Sequence, residues 1–391
     1  MLSDRIGTLS PSLTIAISTL AKDLKEAGKD VISFSAGEPD FSTPGAIRNA
    51  AIKAIDNGHT QYTAVPGTNE VRQAVALKLK RDNNLNYSAS DIIVSNGAKH
   101  SLFNLFQALI NRGDEVIIPA PYWVTYPEQV KYASGKPIYI ETTEINNFKI
   151  TPEQLKNAIT PRTKILVLTT PSNPTGAIYS REELIALGDV LRDTEIIVAS
   201  DEMYEKLVYR GEFVAVASIS DDMFHRTVTI NGLSKSVAMT GWRFGYLASP
   251  NKKLIAAMSK LQSQSTSNIN SITQVAAITA LSGEVDDQIE TMRRAFDGRA
   301  KEAVELFNEI EGLSVLAPDG AFYLFVNIKD ISNDSISFCK DLLQEVGVAV
   351  VPGLGFGLEG YFRFSFATDI ITIREGLRRI KKFVDKKRVQ Q

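Results

Sequence analysis

The sequence predicts an α/β fold: an open, mostly parallel sheet of seven strands, followed by a smaller α+β domain. Three observations carry this expectation. Over residues 90–250, short apolar runs alternate with longer helix-periodic segments, as strands joined by crossover helices require. The runs are apolar at nearly every position, not at every second one, which is what strands covered by helices on both faces look like. After Ser249 the pattern changes to long helical segments with few strands between them.

The candidate strands, in order, are Ile92–Ser95, Glu115–Ile118, Ile138–Ile140, Ile165–Leu168, Ile196–Ala199, Val228–Ile230 and Tyr246–Ala248. Helical periodicity fills the gaps at Lys99–Ile110, Pro127–Tyr132 and Arg181–Leu191. Beyond Ser249, residues 285–311 read as one long helix, followed by a strand at Ala321–Val326 and a helix near 335–346. Strands at Val348–Val351 and Tyr361–Phe366 and a closing helix from Asp369 complete the pattern. Residues 1–40 have no sheet partner nearby in sequence and are expected to complete the smaller domain. The expected division is 45–285 for the large domain, with 1–44 and 286–391 forming the small one.

At 391 residues the chain exceeds one typical core. Hydrophobic content of 44% and charged content of 23% are those of a soluble globular protein. A net charge of −2 gives no reason to expect nucleic acid or an acidic membrane as partner. No run approaches the roughly 18 apolar residues of a membrane span, and the first residues lack the apolar core of a signal peptide. With Cys339 as the single cysteine, no intrachain disulfide can form, which suits a reducing cytoplasm. His59, His100 and His225 are too widely spaced to suggest a metal site. The basic run from Lys381 to Arg388 reads as a solvated helix end.

Candidate chemistry falls where strands end, the edge at which open α/β sheets bind ligands. Ser95-Asn-Gly-Ala-Lys99 follows a strand and opens a helix. It is either a plain N-cap by Ser95 or Asn96, or an anion site built from the free N–H groups of Ala98 and Lys99. Pro171-Ser-Asn-Pro-Thr-Gly176 is either an ordinary turn or a stiff loop that fixes the Asn173 amide. Asp201, with Tyr204 three residues on, is either a cap or a partner for a ligand cation. Lys235 and Arg243 are the only charged residues between Thr227 and Asn251, in a segment crowded by Val237, Met239, Trp242 and Phe244. Two buried cations without a local carboxylate are costly. A desolvated lysine is a nucleophilic amine suited to a Schiff base, whereas an arginine cannot shed its proton and needs an anion. A ligand bearing an aldehyde and a phosphate would satisfy both; the alternative is that the segment is exposed. Gly353-Leu-Gly-Phe-Gly357 lacks the spacing of a dinucleotide fingerprint and reads as a loop.

Taken in order, Ser35–Phe41, Tyr62–Gly67, Ser95–Lys99, Pro121–Val124, Pro171–Gly176, Ser200–Tyr204, Ser234–Gly245 and Phe362–Ser365 resemble the motif series of the class I/II aminotransferases. These are pyridoxal-phosphate enzymes of fold type I, and the chain most resembles their bacterial aspartate aminotransferase subgroup. The resemblance implies a role for each matching residue. Lys235 would bind pyridoxal 5′-phosphate covalently and then act as general base and acid. Asp201 would keep the ring nitrogen protonated, and Asn173 and Tyr204 would bond the phenolic oxygen. Arg243, Ser234 and the backbone of Ala98 and Lys99 would hold the phosphate, with Trp123 packed against the ring. Arg363, helped by Gly37, would bind the substrate α-carboxylate. Tyr62 would reach the phosphate of a second subunit, implying a homodimer.

The resemblance further implies ping-pong transfer from aspartate to 2-oxoglutarate. Related enzymes lend an arginine to the distal carboxylate from the region occupied here by Gln262–Asn270, which contains none. In the bacterial subgroup the lysine of Ser-x-Gly-x-Lys serves instead, and Lys99 stands in that place. Alternatives sharing the framework are transamination of aromatic amino acids, prephenate or methionine, and another fold-type-I lyase reaction.

Overall fold

The computed structural model describes residues 2–11 and 13–389. Its central sheet is built from β2 (Ile92–Asn96), β3 (Glu115–Ala120), β4 (Lys136–Glu141), β5 (Thr163–Thr169), β6 (Ile197–Asp201), β7 (Thr227–Gly232) and β8 (Phe244–Ala248). A short β1 (Ile32–Ser33) precedes them. The strand order is β2-β8-β7-β6-β5-β3-β4. Only β8 is reversed, antiparallel to both β2 and β7. The other six strands therefore point the same way, and their carboxyl ends share one edge.

The burial pattern follows the sequence signal. In β2, β3, β5 and β8 the apolar positions on both faces are buried, with helices such as Ala98–Leu109 and Arg181–Leu191 packed on either side. The outermost strand β4 is the exception, partly exposed along its length. Sheet strands run further toward their carboxyl ends than the apolar runs suggest. The run after Glu195 stops at Ala199, but ladder pairing carries β6 through Ser200 to Asp201, opposite Thr169 and Ile230. Polar residues are thus held in strand geometry at the edge where a ligand would sit.

Three further strands, β9 (Tyr323–Asn327), β11 (Val351–Pro352) and β12 (Tyr361–Ser365), form an antiparallel sheet in the order β11-β12-β9. The stretch Val348–Val351, expected as one strand, is divided. Its first half, β10 (Val348–Ala349), pairs in parallel with β1, and its second half pairs with β12. Residues near the chain start thereby gain the sheet partner that the local sequence did not offer. The long helix is Asp286–Asn308 and the closing helix is Ile370–Val389. The basic end of the closing helix is not merely solvated: Lys386 pairs with Glu345 at 2.6 Å and Lys387 with Asp341 at 2.7 Å. Gly353–Phe356 forms a short 3-10 turn within the expected loop.

Two glycines shape the sheet edge. Gly97 has φ +83°, and a Cβ there would lie 2.5 Å from the Arg243 guanidinium. Gly245 in β8 faces the backbone of Gly97 and Ala98 so closely that any Cβ would collide with it. A side chain at Gly245 would push the start of the Ala98–Leu109 helix away from the sheet, and one at Gly97 would displace the Arg243 guanidinium and strain a left-handed backbone.

Candidate active site

Strand ends and loops meet around a cavity of about 320 Å³. From the large sheet it receives Ala98 and Lys99 after β2, Trp123 after β3, Asn173 after β5, Asp201 and Tyr204 from the end of β6, Ser234 and Lys235 after β7, and Arg243 before β8. From the other elements come Gly37 and Arg363. Every residue given a role by the resemblance therefore converges here except Tyr62, which is 92% exposed and lies outside the cavity.

Asp201 is buried at the floor. One carboxylate oxygen accepts the Tyr126 hydroxyl at 2.6 Å and the other accepts the Met203 N–H at 3.2 Å. Burial pushes its proton affinity up, against the pull of Tyr126, Met203 and the nearby Lys235. Asp201 thus caps a backbone turn through the Met203 N–H, and it also lines the cavity.

Lys235 is largely buried and its Nζ donates to the Gly37 carbonyl. Burial lowers its amine to about 8, with Arg363 and Arg243 adding to the effect and Glu38 and Asp201 opposing it. Folding therefore supplies the carboxylates missing from the local sequence. The enclosure expected for Arg243 is not found: it is exposed, with Nη1 bonded to the Thr240 carbonyl at 2.8 Å. Trp242 and Phe244 turn into the core and do not cover it. Arg243 (φ +60°) and Ala238 (φ +52°) both adopt left-handed backbone conformations, a local strain of the kind that clusters at functional sites.

The plain N-cap reading of Ser95 or Asn96 fails. The helix begins after Gly97 without a side-chain cap. Ser95 bonds Gln262 instead, and Asn96 donates its N–H to His100. The first N–H groups of the Ala98–Leu109 helix stay available at the cavity, beside the Arg243 guanidinium, an arrangement suited to a phosphate.

Arg363 is a buried cation with no carboxylate partner among the described residues. It is 2% exposed and donates to Asn173 Oδ1 at 3.1 Å and to the Ser35 carbonyl at 2.8 Å. Its Nε has no partner among the described residues. The guanidinium stacks on the rings of Tyr323 and Phe356, at 4.3 and 5.0 Å. Lys99 Nζ lies over the Trp123 ring at 5.0 Å.

Three contributors escaped sequence reading. Tyr126 binds Asp201, Tyr323 shares a 2.9 Å hydrogen bond with the Tyr204 hydroxyl, and Thr14 lines the cavity with a buried hydroxyl that has no partner among the described residues. Tyr126 carried one faint signal, its place one helical turn after Trp123. Tyr323 and Thr14 lie on segments distant in sequence and gave none.

The family model for aminotransferase class I and II matches residues 29–380. The chain belongs to this family. It is 50% identical to the aspartate aminotransferase of Bacillus subtilis (strain 168) over 98% of this chain and 99% of that one. It is 48% identical to the aspartate/prephenate aminotransferase of Nitrosomonas europaea, over 97% and 98% of the two chains. Its fold is similar to the crystal structure of the aspartate aminotransferase of Rhizobium meliloti, with a TM-score of 0.95 and 41% identity over 98% and 99% of the two chains.

Pyridoxal 5′-phosphate is the cofactor of class I and II aminotransferases, and the residues of this member fit it. A lowered amine, a buried carboxylate and a helix start beside an arginine answer its aldehyde, ring nitrogen and phosphate. Among the described residues no cluster suits a metal ion, and no helix is long and apolar enough to cross a membrane.

Two predictions follow from the electrostatics. Amine-selective labelling of Lys235 in cofactor-free protein should rise with pH through a midpoint near 8, because the reactive free amine forms above its lowered value. A midpoint near 10.5 would refute the desolvated site. Tyr126→Phe removes a hydroxyl that stabilises the Asp201 carboxylate. The Asp201 carboxyl, followed by carbon NMR, should then take up its proton at higher pH than in the parent protein; an unchanged titration would exclude that role.

Proposed function

We propose that this aminotransferase moves the amino group of aspartate to 2-oxoglutarate by a ping-pong reaction. The observation that carries the reading is Arg363, a buried fork of donors in the cavity whose Nε is unused and which has no carboxylate partner among the described residues. Such a group recognises the α-carboxylate common to amino and 2-oxo acids. The aspartate assignment is supported by the names of relatives about 50% identical over almost the full chain.

When bound, pyridoxal phosphate supplies an aldehyde for an amine and a ring that stabilises the carbanion left by loss of the substrate α-proton. The remaining work falls to the protein. Lys235 Nζ would hold the cofactor covalently and, as a free amine, would carry the proton from the substrate α-carbon to the carbon that had been the cofactor's aldehyde. Asp201 would hold a proton on the ring nitrogen by its negative charge. Asn173 and Tyr204 would bond the phenolic oxygen, and Trp123 would pack against the ring. Ser234, Arg243 and the N–H groups of Ala98 and Lys99 would bind the phosphate. Arg363 orients the α-carboxylate with Gly37 beside it. Lys99 Nζ meets the distal carboxylate of aspartate or 2-oxoglutarate, in place of an arginine from Gln262–Asn270.

A homodimer in which Tyr62 enters the neighbouring site would account for a large aromatic side chain left exposed outside its own subunit's cavity. The proposed small domain comprises 1–44 and 286–391, the large one 45–285, and the place of action is the cytoplasm. A second reading, with prephenate as an additional acceptor, has the support of the Nitrosomonas europaea relative's name.

Lys235→Ala should abolish turnover while leaving noncovalent cofactor binding measurable by fluorescence; turnover near the parent rate would sink the assignment. Lys99→Met should raise KM for aspartate at least tenfold more than KM for alanine, a difference of about 1.4 kcal/mol. Equal changes for the two donors would remove Lys99 from substrate recognition.

A further inference from the structure

The stretch Gln262–Asn270 opens on a residue that the mechanism leaves unused. Gln262 ends the last turn of the helix Lys252–Ser263, yet it is fully buried, with 0% exposure. Both its amide atoms are used twice. Oε1 accepts from the Ser95 hydroxyl and from Asn104 Nδ2, each at 3.0 Å. Nε2 donates to the Val65 carbonyl at 2.9 Å and to the Val94 carbonyl at 3.0 Å. One side chain thus meets all the bonding its amide can make.

The partners are not scattered. Val94 and Ser95 lie in the second half of β2, which ends at Asn96 just before Gly97 and the N–H groups at the cavity. Val65 belongs to the loop that carries the exposed Tyr62. That loop is tied down elsewhere by a second buried glutamine. Gln274 Oε1 accepts from the Thr68 N–H at 2.8 Å, and its Nε2 donates to Thr63 Oγ1 at 2.9 Å. The Pro66 carbonyl also accepts from Val94 N at 2.9 Å. The loop is therefore fastened to β2 by backbone and amide bonds together, while its tip at Tyr62 stays exposed.

We propose that Gln262 is a positioning residue that couples the phosphate side of a subunit's own cavity to the loop presenting Tyr62. This rests on the reading above, in which Tyr62 serves the cavity of a second subunit. Replacing the amide by an apolar side chain strands the Val65 carbonyl, the Ser95 hydroxyl and the Asn104 amide in a dry interior. Those groups must then shift to find other partners. A shift at Ser95 disturbs the helix start in the same subunit, and a shift at Val65 moves Tyr62 relative to the other one. Gln262 touches neither cofactor nor substrate, so its effect should fall on cofactor retention more than on the chemical step.

The test is a double-mutant cycle on the holoenzyme, following release of pyridoxal phosphate by absorbance after dilution, alongside thermal midpoints. Gln262→Met and Tyr62→Phe should each speed release about tenfold, and the double variant should fall well short of the product of the two effects. A thermal midpoint lowered by Gln262→Met with the release rate unchanged would mean a purely structural residue and overturn the proposal. Full multiplication of the two effects would also overturn it, by showing that Gln262 does not act through Tyr62. A silent Tyr62→Phe would instead sink the shared-site reading and the coupling with it. If Gln262→Met does not accumulate as folded protein, Ser95→Ala, which removes one of the four bonds, takes its place in the same cycle with the same outcomes.

Discussion

A guanidinium buried without a carboxylate is the constraint around which the rest of the site is arranged. Arg363 is held by an amide, a carbonyl and two aromatic faces, partners that orient a cation without neutralising it. A carboxylate in that place would make a stable ion pair and leave nothing for a substrate. The protein accepts the desolvation cost of the cation, and an anionic ligand can relieve it. Lys235 follows the same logic by another route: its burial favours the free amine, which is the form that can react.

Holding such groups together requires a rigid frame, and the sheet provides it. Six strands point their carboxyl ends to one edge, so residues far apart in sequence arrive at one cavity. Close contacts there depend on missing side chains at Gly97 and Gly245. Buried amides do the remaining fastening, with Asn173 on Arg363 and Gln262 joining β2 to the loop at Val65. Each of these is a hydrogen-bonded group in a dry interior, where an unmet partner is expensive and geometry is correspondingly well defined.

Much of this was legible in the chain. The apolar runs located all seven strands of the large sheet, because residues buried on both faces leave a continuous signal. Lys235 stood out because a cation in an apolar segment conflicts with its surroundings, and the series of short motifs named the family. Other features were silent. Arg243 looked enclosed, but its neighbours Trp242 and Phe244 turn the other way. Ser95 looked like a helix cap, yet its hydroxyl is taken by Gln262, a residue 167 positions away. Val348–Val351 looked like one strand, although two different partners divide it.

The sequence by itself therefore determined the elements, the order in which site residues appear and the chemistry each side chain can perform, since periodicity and functional groups are local properties. Only the tertiary structure decided the charge state and company of those groups. The amine of Lys235 is lowered by burial and by Arg363, opposed by Asp201 and Glu38, and Asp201 itself is stabilised by Tyr126. These are effects of distance and desolvation across the fold, which act between residues that share no pattern along the chain.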